Sequence, residues 1–342
     1  MKKLQILIPH YKEDFSIIKP LLDSINIQQN INFDDIGVII VNDGNEVIID
    51  KNNFNNYNYE IQYYINEHKG VSATRNACLD KAEAEYVMFC DCDDMFSNIC
   101  GLWCIFREMN TKNSNEENVG FDVLVSVFMQ ESHDPKTNTI TYINRGDKDK
   151  DGLDSVFVHG KAYRRQYLLD NNIRWCEKLT IHEDSYFNCL CQTLTKNIKY
   201  ISTPFYLWKW RGESVCRSDE KYILKTYTNL LDSSDALVEQ FILRKKLENA
   251  QYNITHMIYN TYFTMNTDEW LAAENRPYRL KTERHFKYYY NKYSYLMNGI
   301  KPEVKMQIIK TLKTNFFNKG LVIEKFSFED WIRYIQGLKD EQ

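Results

Sequence analysis

The chain has 342 residues, 43% of them hydrophobic, enough for one large core or two smaller ones. Its formal net charge of −4 excludes a general nucleic-acid binder, which needs a strong basic footprint. No apolar run approaches the roughly 20 residues that span a bilayer. The start, Met1-Lys2-Lys3-Leu4-Gln5, lacks the apolar stretch of a secretion signal. Nine scattered cysteines read as reduced thiols, so the expected location is cytoplasmic, with the inner face of the membrane open to it.

Leu4 to Ile8 is a short apolar run that ends in Pro9-His10-Tyr11 and reads as a strand. Phe15, Ile18, Leu21, Leu22 and Ile25 then recur at helical spacing. Ile36 to Val41 is a second buried-strand run, stopped by Asn42-Asp43-Gly44, and Tyr59 to Ile65 a third. Ser72 to Ala82 reads as a helix entered through Gly70, and Tyr86 to Cys90 as the next strand. Phe121 to Met129 is a further strand, Thr139 to Ile143 a candidate neighbour, and Asn144 to Asp154 a surface loop. Glu183 to Leu194 reads as a helix with carboxylates at its N-terminus, where they are favoured. Beyond about Asp219 the pattern is almost wholly helical, with apolar stripes at Leu230 to Ile242 and at Ile308 to Leu312. Residues 251–342 hold 14 Lys/Arg against 10 Asp/Glu, so the end of the chain is mildly basic.

Apolar strands alternating with amphipathic helices predict an α/β domain with a mostly parallel sheet covered on both faces. Ligands in such sheets bind beyond the C-terminal strand ends. Three polar groups occupy those ends: Pro9-His10-Tyr11, Asn42-Asp43-Gly44 and Asp91-Cys92-Asp93-Asp94. Three carboxylates in four positions repel one another unless a cation neutralises them, and a hard divalent ion prefers oxygen ligands. Gly70 to Asn76 opens a helix, and with Arg75 one turn in it suits an anion.

The order of six fragments carries a resemblance. They are Ile8-Pro9-His10-Tyr11, Val41-Asn42-Asp43-Gly44, Gly70-Val71-Ser72-Ala73-Thr74-Arg75-Asn76, Asp91-Cys92-Asp93-Asp94, Gly160-Lys161-Ala162-Tyr163-Arg164-Arg165, and Glu183-Asp184 ahead of Tyr186-Phe187. Over residues 4 to 217 the chain resembles the family-2 glycosyltransferases of GT-A fold, with His10-Tyr11-Lys12 where the family usually has Asn after the Tyr.

The resemblance implies an inverting, metal-dependent transferase of the hexosyltransferase class. It would move a hexose or N-acetylhexosamine from a UDP-sugar to a hydroxyl of a glycan, cell-surface polymer or glycosylated protein. It implies Asp184 as base, with Glu183 as neighbour or substitute. Pro9, Tyr11, Asp43, Arg75, Asp91, Asp93 and Lys161 fall on the donor side, and Asp93 on a Mn²⁺ or Mg²⁺. His159, His182 and the segment Trp208 to Arg211 are candidates for a further metal ligand. Asp94, His182, Trp208, Arg211 and Ser214 would support or close the site. The expected domains are residues 1–219 for transfer and 220–342 for acceptor binding, packing or oligomerisation, with peripheral membrane contact also open there.

Two rivals share parts of the pattern. A nucleotidyltransferase also holds metal on carboxylates, but it calls for a Gly-rich, basic phosphate loop where this chain has Pro9-His10-Tyr11. A non-catalytic binding protein on a degenerate scaffold is opposed by intact carboxylates at 91, 93 and 184.

Overall fold

A computed structural model describes residues 1–111, 119–134, 136–146, 156–212, 219, 221–321 and 326–339. The chain divides into two compact units, Met1–Gly212 and Glu213–Gln342.

The first unit is built on one sheet. Its strands are β1 (Leu4–His10), β2 (Ile36–Asn42), β3 (Glu60–Ile65), β4 (Tyr86–Phe89), β5 (Met95–Phe96), β6 (Val123–Asp134), β7 (Thr139–Arg145), β8 (Lys161–Arg164) and β9 (Ile198–Trp208). They lie in the order β3-β2-β1-β4-β8-β6-β9-β5, with β7 paired to β6. The four strands β3, β2, β1 and β4 are parallel. The sheet then turns mixed: β8 runs antiparallel to β4 and β6, while β6 and β9 are parallel. The mostly parallel expectation therefore describes the N-terminal half of the sheet.

Helices α1 (Phe15–Asn26), α2 (Val71–Lys81), α3 (Gly101–Met109), α4 (Arg165–Asp170) and α5 (Glu183–Thr193) belong to this unit. Strand β4 is buried at every residue because both of its faces are covered. Tyr86 and Met88 join the core that includes Ile18, Leu21 and Leu22 of α1 and Leu102 and Ile105 of α3. On the opposite face, the Phe89 ring meets Trp175 at 5.1 Å and Phe187 at 5.7 Å. Trp175 and Phe187 stack with centroids 4.1 Å apart.

The turn after β2 is fixed by its own residues. The Asn42 amide donates to the carbonyls of Asn45 and Val47, and its Oδ1 accepts from the Asn45 N–H. Gly44 has φ of 70°. A Cβ there would lie 2.4 Å from the backbone N of His68. Gly44→Ala therefore meets both left-handed strain and an immovable neighbour. We expect it to lose roughly 2 kcal/mol or more of stability, read from the denaturant midpoint.

The second unit is helical among its described residues: α6 (Tyr222–Leu243), α7 (Leu247–Met265), α8 (Asp268–Leu271), α9 (Arg276–Met297), α10 (Pro302–Asn318) and α11 (Phe328–Gly337). Its interior is aromatic. Trp331 packs on Phe286 at 4.8 Å and on Tyr262 at 5.6 Å, and Tyr227 meets Trp270 at 5.5 Å. No helix of the described residues is long and apolar enough to cross a membrane.

Candidate active site

The ends of β1, β2 and β4 present their polar residues at one edge of the sheet. Asp43 is buried, and its carboxylate accepts the backbone N–H groups of Lys69 (2.8 Å) and Gly70 (2.9 Å). Nδ1 of His68 lies 2.9 Å from the same carboxylate. Asp43 thus ties the loop that enters α2 to the end of β2. Tyr11 is 39% exposed and stacks on His68, with centroids 4.7 Å apart. Tyr11 and His68 form an open platform of two rings beside the buried Asp43 carboxylate. Pro9 lies inside β1, opposite Val41. A cleft of about 350 Å³ adjoins this platform, lined in part by Asp43, Lys69, Thr74, Asn76, Arg174 and Glu177.

Helix α2 fastens the segment that leads to α5. Ser72 donates to the carbonyl of Leu179, and the Asn76 amide donates to the Trp175 carbonyl and the Glu177 carboxylate. Arg75 completes the tie. It is buried, lies 4.5 Å over the Trp175 ring, and donates to Asp91 at 2.8 Å and to Glu183 at 2.9 Å. Sequence reading leaves Arg75 on a phosphate or in solvent. The structure has it bridging two carboxylates.

The acidic cluster divides into three environments. Burial pushes Asp91 up, but the Arg75 guanidinium, helped by His159, outweighs it and holds the carboxyl below its ordinary value. Asp93 is pushed up by burial and by Asp91, with Arg211 opposing. Arg211 donates to Asp93 at 3.1 Å and lies 3.7 Å from Glu13. Asp94 is fully buried and is raised well above its ordinary value by burial and by its acidic neighbours. The Tyr206 hydroxyl donates to Asp94 at 2.6 Å and accepts the Asp91 N–H at 3.2 Å. The Lys209 N–H donates to the other Asp94 oxygen at 3.0 Å.

Sequence reading gives the metal to Asp93. Among the described residues, the group that brings three ligand atoms within 4.8 Å of one another is Asp91, Asp94 and His159. Two carboxylate oxygens and an imidazole nitrogen suit Mn²⁺ and are acceptable to Mg²⁺. His159 Nδ1 lies 3.5 Å from Asp94, and the His159 ring stacks on Trp208 at 4.9 Å.

Glu183 and Asp184 begin α5, directly after His182 in the left-handed conformation (φ 62°). Burial lowers the His182 pKa. Glu183 is taken up by Arg75. Asp184 accepts the N–H of Ser185 at 2.7 Å. Burial first, then the charge of Glu183, raise Asp184 to about 7, while Arg75, the Ser185 N–H and Lys161 oppose.

Lys161 is expected on the donor side. It is fully buried, and its ammonium donates to the Phe157 carbonyl, so the residue belongs to the sheet interior behind the site. Trp210, half-exposed, meets the His133 ring at a tilt, with centroids 4.6 Å apart. Ser214 lies outside the described residues. Sequence reading misses His68, Glu13, Trp175 and Tyr206. None belongs to a local motif, and each acts through a partner distant in the chain or on a neighbouring loop.

Residues 5–100 match the model of Glycosyl transferase family 2. Glycosyltransferase GlyA of Streptococcus pneumoniae is 23% identical over 229 residues, covering 63% of this chain and 32% of that protein. The teichoic acid poly(glycerol phosphate) polymerase of Staphylococcus epidermidis is 24% identical over 264 residues, covering 72% of this chain and 35% of that protein. The chain thus spans about a third of the length of these two relatives. Among solved structures, S. aureus TarS 1-349 in complex with UDP superposes with a TM-score of 0.62 at 17% identity, covering 96% of this chain and 99% of that one. The same TarS piece with UDP-GlcNAc gives 0.52 at 16% identity, covering 95% and 97%.

Proposed function

We propose that this chain, a glycosyltransferase with a family 2 domain on a GT-A fold, moves a sugar from a UDP-sugar to a hydroxyl of a cell-surface polymer in one inverting, metal-assisted displacement. The observation that carries the mechanism is the pairing of carboxylates: Arg75 occupies Asp91 and Glu183, while Asp184, beside them, is raised to about 7. A general base works best when its pKa lies near the operating pH. Asp184 would take the proton from the acceptor hydroxyl as that oxygen attacks the anomeric carbon. The bond to the diphosphate breaks on the opposite face, and configuration inverts.

Donor binding is assigned to Asp43 and the platform of Tyr11 and His68, whose rings suit a flat nucleobase. Asp91 is assigned to the ribose side. Asp91, Asp94 and His159, with Asp93 beside them, would hold a divalent cation that neutralises charge on the departing diphosphate. Trp208 and Arg211 would close the site. UDP as the donor nucleotide is supported by the TarS complexes with UDP and UDP-GlcNAc. A polymer acceptor is supported by the likeness to a teichoic acid polymerase.

Titration calorimetry with UDP tests the reading. UDP should bind at least about tenfold more tightly with Mn²⁺ or Mg²⁺ than with a chelator present. Absence of binding by UDP under all three conditions would remove the UDP-sugar assignment. His159→Ala should abolish the metal-linked gain. If Asp93→Ala abolishes it and His159→Ala does not, the cation belongs on Asp93.

A further inference from the structure

The loop between α6 and α7 forms one end of the helical unit and has an unusual composition. It carries Arg244, Lys245 and Lys246 in succession, between Ile242-Leu243 at the end of α6 and Leu247 at the start of α7. The three aliphatic side chains point away from the core: Leu243 is 74% exposed, Leu247 49% and Ile242 42%. Isolated exposed aliphatic residues need no explanation, but three beside three cations in six residues do.

The backbone makes the turn rigid. The Lys246 N–H donates to the Phe241 carbonyl at 2.8 Å and the Lys245 N–H to the Ile242 carbonyl at 3.0 Å. This is the helix-ending pattern in which glycine usually takes the left-handed position. Here Lys245 takes it, with φ of 57°. The chain thus keeps a lysine at the apex where glycine would relieve strain.

A third helix brings a ring to the same end. Helices α6 and α9 run parallel, since His285 meets Asp232 at 2.7 Å and Lys292 meets Glu239 at 2.9 Å. That register sets Tyr295, 64% exposed, level with Ile242 and Leu243. Tyrosine is favoured at the boundary between lipid and water.

We propose that this tip docks the protein on an anionic phospholipid surface. Ile242, Leu243 and Leu247 would enter the interfacial zone while Arg244, Lys245 and Lys246 meet headgroup phosphates. A phosphate-bearing polymer would satisfy the cations but leave the aliphatic groups in water. A symmetric contact with a second copy would bring like charges together. The lipid surface satisfies both sets.

The test is flotation of the full chain with vesicles of phosphatidylcholine alone and of phosphatidylcholine mixed with phosphatidylglycerol. The chain should float with the anionic vesicles only, and less so at high salt. Lys245→Glu with Lys246→Glu should weaken partition at least roughly 30-fold, and Leu243→Ser roughly tenfold. Both changes lie on the surface, so folding is checked by an unchanged melting curve. No flotation with anionic vesicles, or equal flotation of all variants, would overturn the proposal. So would sedimentation showing an oligomer that Leu243→Ser dissociates, which assigns the tip to self-association.

Discussion

Asp184→Asn is expected to lower the rate of sugar transfer by roughly 10²- to 10⁴-fold and to leave UDP binding within about twofold of the unmodified protein. The amide keeps the shape at the start of α5 and still accepts the Ser185 N–H, but it takes up no proton. The pH profile gives the sharper reading. Asp184 must be ionised to act, and its folded pKa is raised to about 7. Activity should therefore fall with unit slope as pH drops below about 7. Glu183→Gln removes a negative neighbour that raises Asp184, so it should move that limb to lower pH while keeping turnover. In Asp184→Asn the limb should vanish along with the activity. Survival of the limb in Asp184→Asn would transfer the role of base to another group.

The raised pKa also fixes a sign for stability. The folded state binds the Asp184 proton more tightly than an unfolded chain does, whose carboxyl titrates near 4. Ionising Asp184 therefore costs stability as pH rises from about 4 through about 7. Asp184→Asn should unfold at a higher temperature than the unmodified protein at pH 8 and show little gain at pH 4. A group that stabilises the fold would give the opposite sign.

Much of this architecture was legible where the physics is local. Apolar runs with both faces buried gave β1, β2 and β4, and their polar ends marked the edge where Asp43 and Asp91 now lie. The helical spacing from Phe15 gave α1. What escaped lies further from local pattern. Strand β9, Ile198–Trp208, contains Ser202, Thr203 and Pro204 and is buried only in part, so neither alternation nor a continuous apolar run announces it. Yet β9 supplies Tyr206, which joins Asp91 to Asp94. Lysine is seldom buried, so no local pattern announces that Lys161, expected beside the donor, lies inside with its ammonium on the Phe157 carbonyl. Arg75 is the clearest case. Its carboxylate partners lie 16 and 108 residues away, and no periodicity in the chain reports either.

Arg75→Met is expected to cost roughly 3 kcal/mol of stability to denaturant and most of the transfer activity together. The Arg75 side chain is 5% exposed, against 14% for that of Glu183 and 31% for that of Asp91. Removing the cation leaves two carboxylates, one of them largely buried, without their shared counter-charge, so the loss exceeds that of a surface pair. Arg75→Lys restores the charge but not the planar fork that reaches both partners, and should recover only part of either quantity. The sign with pH separates this from a packing defect on Trp175. Arg75 holds Asp91 below its ordinary value, so the pair stabilises the fold above about pH 4 and loses that contribution as pH falls through the folded pKa. The gap in stability between the unmodified protein and Arg75→Met should therefore narrow on acidification. A gap that stays constant from pH 7 to pH 3 would mean that the arginine acts through its contact with the Trp175 ring, and that the two carboxylates do not depend on its charge.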